Sequence, residues 1–112
     1  MRRWFALRAA ELFSDVDVLI APATPCPAPE IGTEWLTING QRLPARPSLG
    51  LLTQPISFIS LPVSAVPVWG CHPTLPIGVQ VIAAPWREDL VLRIAHHLQQ
   101  AGIARAPVAA LP

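Results

Sequence analysis

No lysine and no tyrosine occur in the 112 residues, and all eight basic side chains are arginines. These two absences exclude a Schiff-base lysine, a lysine general base, a phosphate-loop lysine and a tyrosine acid. Charge is scarce too: 13% of residues carry it, about half the usual share. A small free-standing domain has a large surface for its volume and needs polar residues to cover it. The composition therefore predicts a chain whose surface is partly covered by something else. The arginines, at positions 2, 3, 8, 42, 46, 87, 93 and 105, are scattered and the net charge is +1. A nucleic-acid surface wants a basic stripe with interleaved aromatics, and none is present. The two cysteines, Cys26 and Cys71, stand far apart without a CxxC pair, so neither a disulfide framework nor a zinc site is expected. No apolar run reaches the roughly 18 residues of a membrane helix; Leu61 to Pro85 is broken by Pro62, Pro67, Pro73 and Pro76. Arg8 and Glu11 interrupt the apolar stretch after Arg2 and Arg3, so a secretory leader is not expected. These readings lead to the expectation of a reduced, cytoplasmic chain with no membrane and no nucleic acid among its partners.

At 52% hydrophobic, the sequence can bury a core of one domain. Residues 2–13 mix Trp4, Phe5, Leu7, Leu12 and Phe13 with arginines and predict a helix. It starts without an N-cap, as a helix does whose upstream part is missing. Val16 to Ala21 predicts a buried strand of a parallel or mixed sheet. Pro22 to Gly32, with four prolines, is an extended loop. Trp35 to Ile38, Asn39-Gly40 and Gln41 to Leu43 read as a surface hairpin with a type I′ turn. Pro47 to Thr53 predicts a short helix with Pro47 in its first turn. Gln54 to Leu61 is apolar with Pro55 inside it. Val63 to Val68 and Ile77 to Ala83 predict two strands joined by a hairpin loop from Trp69 to Pro76, with Pro67 marking a strand end or bulge. Glu88 to Ala101 is the clearest helix: Leu90, Val91, Ile94, Ala95 and Leu98 form one apolar face. Glu88 and Asp89 suit its positive end, and Gly102 stops it. Residues 1–102 thus make one segment, and 103–112 a frayed Ala/Pro tail. Three strands and two substantial helices make an α/β arrangement that reads as one side of a larger sheet.

No motif here assembles a catalytic constellation. His96 and His97 are adjacent and lack the i, i+4 spacing of helical metal ligands. Cys71 and His72 are chain neighbours, whereas a catalytic Cys and His normally meet across a fold. Asp15 and Asp17 could share a face and hold a metal; capping of the helix before them, or the start of the strand, is the favoured reading. None of the serines lies in a G-x-S-x-G elbow, and the six glycines are dispersed. No metal and no cofactor is called for.

Three stretches resemble the C-terminal region of amidase-signature enzymes: Asp15 to Gly32 (DVDVLIAPATPCPAPEIG), Leu49 to Pro67 (LGLLTQPISFISLPVSAVP) and Leu75 to His96 (LPIGVQVIAAPWREDLVLRIAH). The run TQPISFI is similar to the branch of amidases around the catalytic subunit of 1-carboxybiuret hydrolase; the glutamyl-tRNA amidotransferase A subunits are more distant. The resemblance implies an α/β fold: the C-terminal part of a large mixed sheet with flanking helices, incomplete as a domain. It implies hydrolysis of amide C–N bonds by a Ser nucleophile, a bridging Ser and a Lys base, all within a Gly/Ser-rich signature upstream of the matched region. No such signature and no lysine is present here, so no catalytic residue carries over. Pocket lining does: the segment matching Leu52 to Leu61 approaches substrate in the family. Thr53, Gln54 and Ser57 are its polar side chains able to meet an amide or carboxylate. Local bonding to the backbone near Pro55 is an equal alternative. Ser60 stands where the family usually has glycine, and the loop Trp69 to Thr74 is atypical.

The sequence therefore reads as an amidase fragment, silent alone, whose partners are a small-molecule amide and either the missing N-terminal part or another subunit. A non-catalytic module docking on a separate amidase half is the second reading. A free-standing domain with an unrelated binding role is the third.

Overall fold

The centre of the chain is β5 (Ile77–Ala83), which has a neighbour on each side. In this computed structural model, residues 1–108 are described. β1 (Val18–Pro22) pairs with β5 in antiparallel register, from Val18 opposite Ala83 to Pro22 opposite Val79. β4 (Val63–Val68) pairs along the other side, also antiparallel, from Val63 opposite Ile82 to Val68 opposite Ile77. Alternation along β5 sends Val81 and Ala83 to one face and Gln80 and Ile82 to the other. All four are buried, as a central strand covered on both faces requires.

The helix on the first face is α4 (Glu88–Gln100). Val91 packs against Val81 and Ala83, with Val18, Leu90, Ile94 and Leu98 around them. Its start carries Glu88 and Asp89. Arg87 donates two hydrogen bonds to Asp89, at 3.0 and 3.2 Å, and this pairing holds the Asp89 carboxyl below the usual carboxylate range. Its end is a Schellman motif: Gly102 has φ +71° and its N–H donates to the Gln99 carbonyl, while Ile103 donates to that of Leu98.

Most of the expected elements are present, with differences that have physical causes. The expected β1 run begins at Val18, not Val16, and includes Pro22. Pro22 is tolerated because β1 is an edge strand, where a missing N–H faces no partner. Parallel pairing was one expectation for this run, yet β1 lies antiparallel to β5. Burial was the other expectation for this run, yet no residue of β1 is buried and Ile20 is exposed, because β1 is an edge strand; apolar, β-branched composition fixes neither the burial nor the direction of a strand. Pro67 likewise sits inside β4, the other edge. β2 (Trp35–Ile38) and β3 (Gln41–Pro44) form the hairpin, with Asn39 at φ +49° and Gly40 at φ +76° as a type I′ turn demands. The guanidinium of Arg42 stacks 4.7 Å from the Trp35 ring.

The helix expected at Pro47 begins earlier, as α2 (Ala45–Leu49), and a second short helix follows, α3 (Gln54–Phe58). In α3, Pro55 stands in the first turn, where its missing N–H has no intrahelical partner to lose. Residues 103–105, assigned above to the tail, are seated on β4. Ala104 is buried and bridges to Val68, Arg105 donates its N–H to the Pro67 carbonyl, and the Trp69 indole donates to the Arg105 carbonyl at 2.6 Å. The last four residues of that tail lie outside the described residues.

α1 (Arg2–Leu12) differs from α4 in burying almost nothing: Ala9 alone is buried, and Trp4 and Leu7 are 62% and 57% exposed. No side chain caps its start. Eleven residues are marginal as an isolated helix in water. Ile20 on β1, Val63 on β4 and Leu92 on α4 are exposed as well. Among the described residues, the outer edges of the three-stranded sheet are unpaired apart from the Val68–Ala104 bridge, and no helix is long and apolar enough to cross a membrane.

Candidate functional site

The segment between α2 and β4 is built around the carbonyl of Gly50. Three donors converge on it: the N–H of Thr53 at 3.2 Å, the Thr53 hydroxyl at 3.2 Å and the N–H of Gln54 at 2.9 Å. The Gln54 side chain folds back over Gly50, and a Cβ there would meet its amide nitrogen at 3.1 Å. Ser57 follows one turn later, its N–H bonded to the Thr53 carbonyl at 3.0 Å. The three candidate residues thus lie within the five consecutive positions 53–57. Thr53 is half-buried with its hydroxyl bonded locally, whereas Gln54 and Ser57 are exposed.

At the end of the segment, Ser60 has φ +58°, in the left-handed region that costs an L side chain about 1–2 kcal/mol. Its hydroxyl accepts a hydrogen bond from Arg2 at 3.0 Å, and the same guanidinium lies 6.0 Å from the Phe58 ring. These contacts tie the start of α1 to the end of α3. The sequence reading marked Ser60 as a departure from glycine, and the backbone gives the reason glycine suits the position. Glycine also loses about 0.5–1 kcal/mol through its greater freedom when unfolded. Ser60→Gly is therefore expected to raise stability by about 0.5–1 kcal/mol, or about 2–6 °C in Tm. Thermal melts of the two chains side by side measure this, and a lower Tm for the glycine variant would contradict it.

Gln80 is the residue the sequence reading passed over. It is 2% exposed, and its side-chain amide donates to the Pro22 carbonyl at 2.9 Å and the Leu52 carbonyl at 3.1 Å. The available signal was one polar side chain in an otherwise apolar strand; such a group is buried only with partners.

The remaining candidates stand apart from α3. His72 organises its own loop: Nδ1 accepts from the N–H groups of Leu75 at 3.1 Å and Thr74 at 3.3 Å. Cys71 is exposed. His96 borders a groove of about 280 Å³ between α4 and β4, while His97 lies in the last turn of α4. Asp15 and Asp17 are exposed; at the end of α1 the Ser14 hydroxyl donates to the Glu11 carbonyl at 2.6 Å, and the Asp15 N–H donates to the Leu12 carbonyl at 3.1 Å. Among the described residues, no three His, Cys, Asp or Glu side chains gather as metal ligands. Trp86, 90% exposed, holds φ +66° in the turn before α4.

Residues 1–92 match the family model described as Amidase. The 1-carboxybiuret hydrolase subunit AtzE of Pseudomonas sp. (strain ADP) is 57% identical over 105 residues, which is 93% of this chain and 23% of that protein. A fatty acid amide hydrolase of Medicago truncatula is 38% identical over 85 residues, 76% of this chain and 14% of the relative. Among solved structures, a vestigial protein complex tied to the origins of an s-triazine catabolic enzyme superimposes with a TM-score of 0.91 at 56% identity. That match covers 96% of this chain and 24% of the other. An amidase crystal structure superimposes with a TM-score of 0.82 at 30% identity, over 89% of this chain and 23% of the other. The chain spans about a quarter or less of the length of these relatives.

Proposed function

The chain belongs to the amidase family, and from that premise we propose that it is the C-terminal part of an amidase cutting non-peptide amide C–N bonds. In this role it contributes sheet strands and one wall of the substrate pocket, and none of the catalytic Ser–Ser–Lys set. The observation that carries the proposal is the superposition of 96% of this chain on 24% of a relative at a TM-score of 0.91. A segment that keeps its place so closely is built to be completed by the other three quarters. The exposed apolar side chains of α1, β1 and β4 and, among the described residues, the sheet edges left unpaired apart from the Val68–Ala104 bridge are surface that the rest of an amidase would cover. The partner is then the remainder of an amidase, and the ligand a small amide.

Within that pocket, Gln54 and Ser57 offer exposed polar groups on the first turn of α3, and Thr53 fixes the turn through Gly50. The test is a rebuilt AtzE of Pseudomonas sp. (strain ADP), with this chain in place of the segment it matches. Hydrolysis of 1-carboxybiuret is expected to persist. Gln54→Ala and Ser57→Ala are expected to raise KM about tenfold, the value of one hydrogen bond to a charged or strongly polar group, with kcat changed less. Unchanged KM in both variants would remove the pocket role.

A second reading, an interaction module without a pocket role, draws on the same uncovered surface. It predicts that the chain binds an amidase lacking this segment and leaves it inactive.

A further inference from the structure

Gln80 stands alone as a polar side chain in the apolar run of β5, where it is 2% exposed. A buried primary amide has two N–H donors to satisfy, and both are used: one on the Pro22 carbonyl at 2.9 Å, the other on the Leu52 carbonyl at 3.1 Å. The two acceptors fix which end of the side chain is nitrogen, because an oxygen in that place would face two carbonyl oxygens. Pro22 is the last residue of β1, and Leu52 immediately precedes Thr53. The chain after β1 is seated on β5 as well. The Ala23 N–H donates to the Gly78 carbonyl at 2.7 Å, and a side chain at residue 78 would meet the Ala23 methyl at 3.1 Å. Two segments far apart in sequence are thus held to one strand by a single amide.

We infer that Gln80 is a positioning residue of the substrate pocket: it locks the segment carrying Thr53, Gln54 and Ser57 to the end of β1, and so sets where their polar atoms meet the amide substrate. The inference rests on the pocket reading proposed above. None of the residues of α3 is buried; its far end is held by Ile59 and by Arg2 on Ser60 and Phe58, which leaves its start to Gln80. Without the brace, the Leu52 carbonyl loses its side-chain partner, and the turn on Gly50 loses its link to β5.

The first test needs no variant. In the intact chain, the Gln80 side-chain amide protons are expected to exchange with solvent at least tenfold more slowly than those of the exposed Gln41, Gln99 and Gln100, by NMR. Exchange at the rate of the exposed glutamines overturns the brace. The second test compares the chain with Gln80→Met, which keeps the length and removes the donors, and with Gln80→Asn, which keeps an amide too short to span both carbonyls. Backbone protection at Gln54 and Ser57 is expected to fall tenfold or more, while that of α4 changes less than threefold. An equal loss in α4 makes Gln80 an ordinary core residue and overturns the proposal. In the rebuilt enzyme, Gln80→Met is expected to raise KM about tenfold with kcat within threefold, a split that loss of folded protein would not give. Unchanged KM for Gln80→Met, with KM raised in Gln54→Ala and Ser57→Ala, sinks the positioning role and spares the pocket reading. Unchanged KM in all of them sinks the pocket reading, while the exchange results still decide whether the brace exists.

Discussion

Val91→Asp is expected to abolish cooperative unfolding of the chain. Val91 is 3% exposed and sits against Val81 and Ala83, both at 0%. A carboxylate placed there has no cation beside it in that cluster, and an unpaired buried charge costs several kcal/mol even after relaxation. A domain of this size has only about 5–15 kcal/mol in total, and α4 is the helix that covers this face of the sheet. Val91→Ala provides the calibration: it removes volume without charge and is expected to lose about 2 kcal/mol. Urea titrations followed by circular dichroism measure both. A cooperative Val91→Asp transition with the wild-type midpoint would show that the α4 contact does not hold the segment together.

The second large effect is an absence of turnover. The purified chain is expected to hydrolyse no amide above background, because a serine nucleophile needs a base and the sequence offers no lysine. Removing one member of such a catalytic group typically lowers kcat by about 10⁴–10⁶, and here the whole set is proposed to lie in the other part of the enzyme. His72 Nδ1 is occupied by two backbone N–H groups, and Cys71 stands exposed on its loop. Release of ammonia from a panel of small amides, by the purified chain at high concentration, is the readout. Turnover that copurifies with the chain through several columns would contradict the expectation.

Local rules made some elements plain and left others hidden. α4 was legible because three independent signals agreed: an apolar stripe, acidic residues in the first turn and Gly102 just past the end. Asn39-Gly40 announced its turn because few residue pairs accept two positive φ values. Neither the direction nor the exposure of β1 was legible, since its apolar residues are the same in a buried strand and at an edge, and its partner β5 lies far along the chain. α3 was obscured by Pro55, which reads as a breaker until its place in the first turn is known. The seating of Ala104 and Arg105 on β4 depends on an open strand edge that no local pattern reveals. For the candidate site, the family resemblance singled out Thr53, Gln54 and Ser57 as proposed pocket lining, and Ser60 was visible as a departure from the family's glycine. Gln80 was overlooked because its two acceptors are backbone carbonyls of other segments, which leave no trace in side-chain identity.

The scarcity of charge and the uncovered apolar surface point the same way. Trp4 and Leu7 on α1, Ile20 on β1 and Leu92 on α4 are exposed together. A chain with 13% charged residues cannot solvate such surface easily, and burial against the rest of an amidase would remove it from water at about 25 cal/mol per Å².

Hydrolysis of 1-carboxybiuret by three preparations tests the central claim most directly: this chain alone, AtzE of Pseudomonas sp. (strain ADP) lacking the segment it matches, and that AtzE with this chain fused in its place. Activity in the fused protein alone is the predicted result. Activity in the first preparation, or a folded but inactive fusion, would contradict the account of this chain as the completing quarter of an amidase.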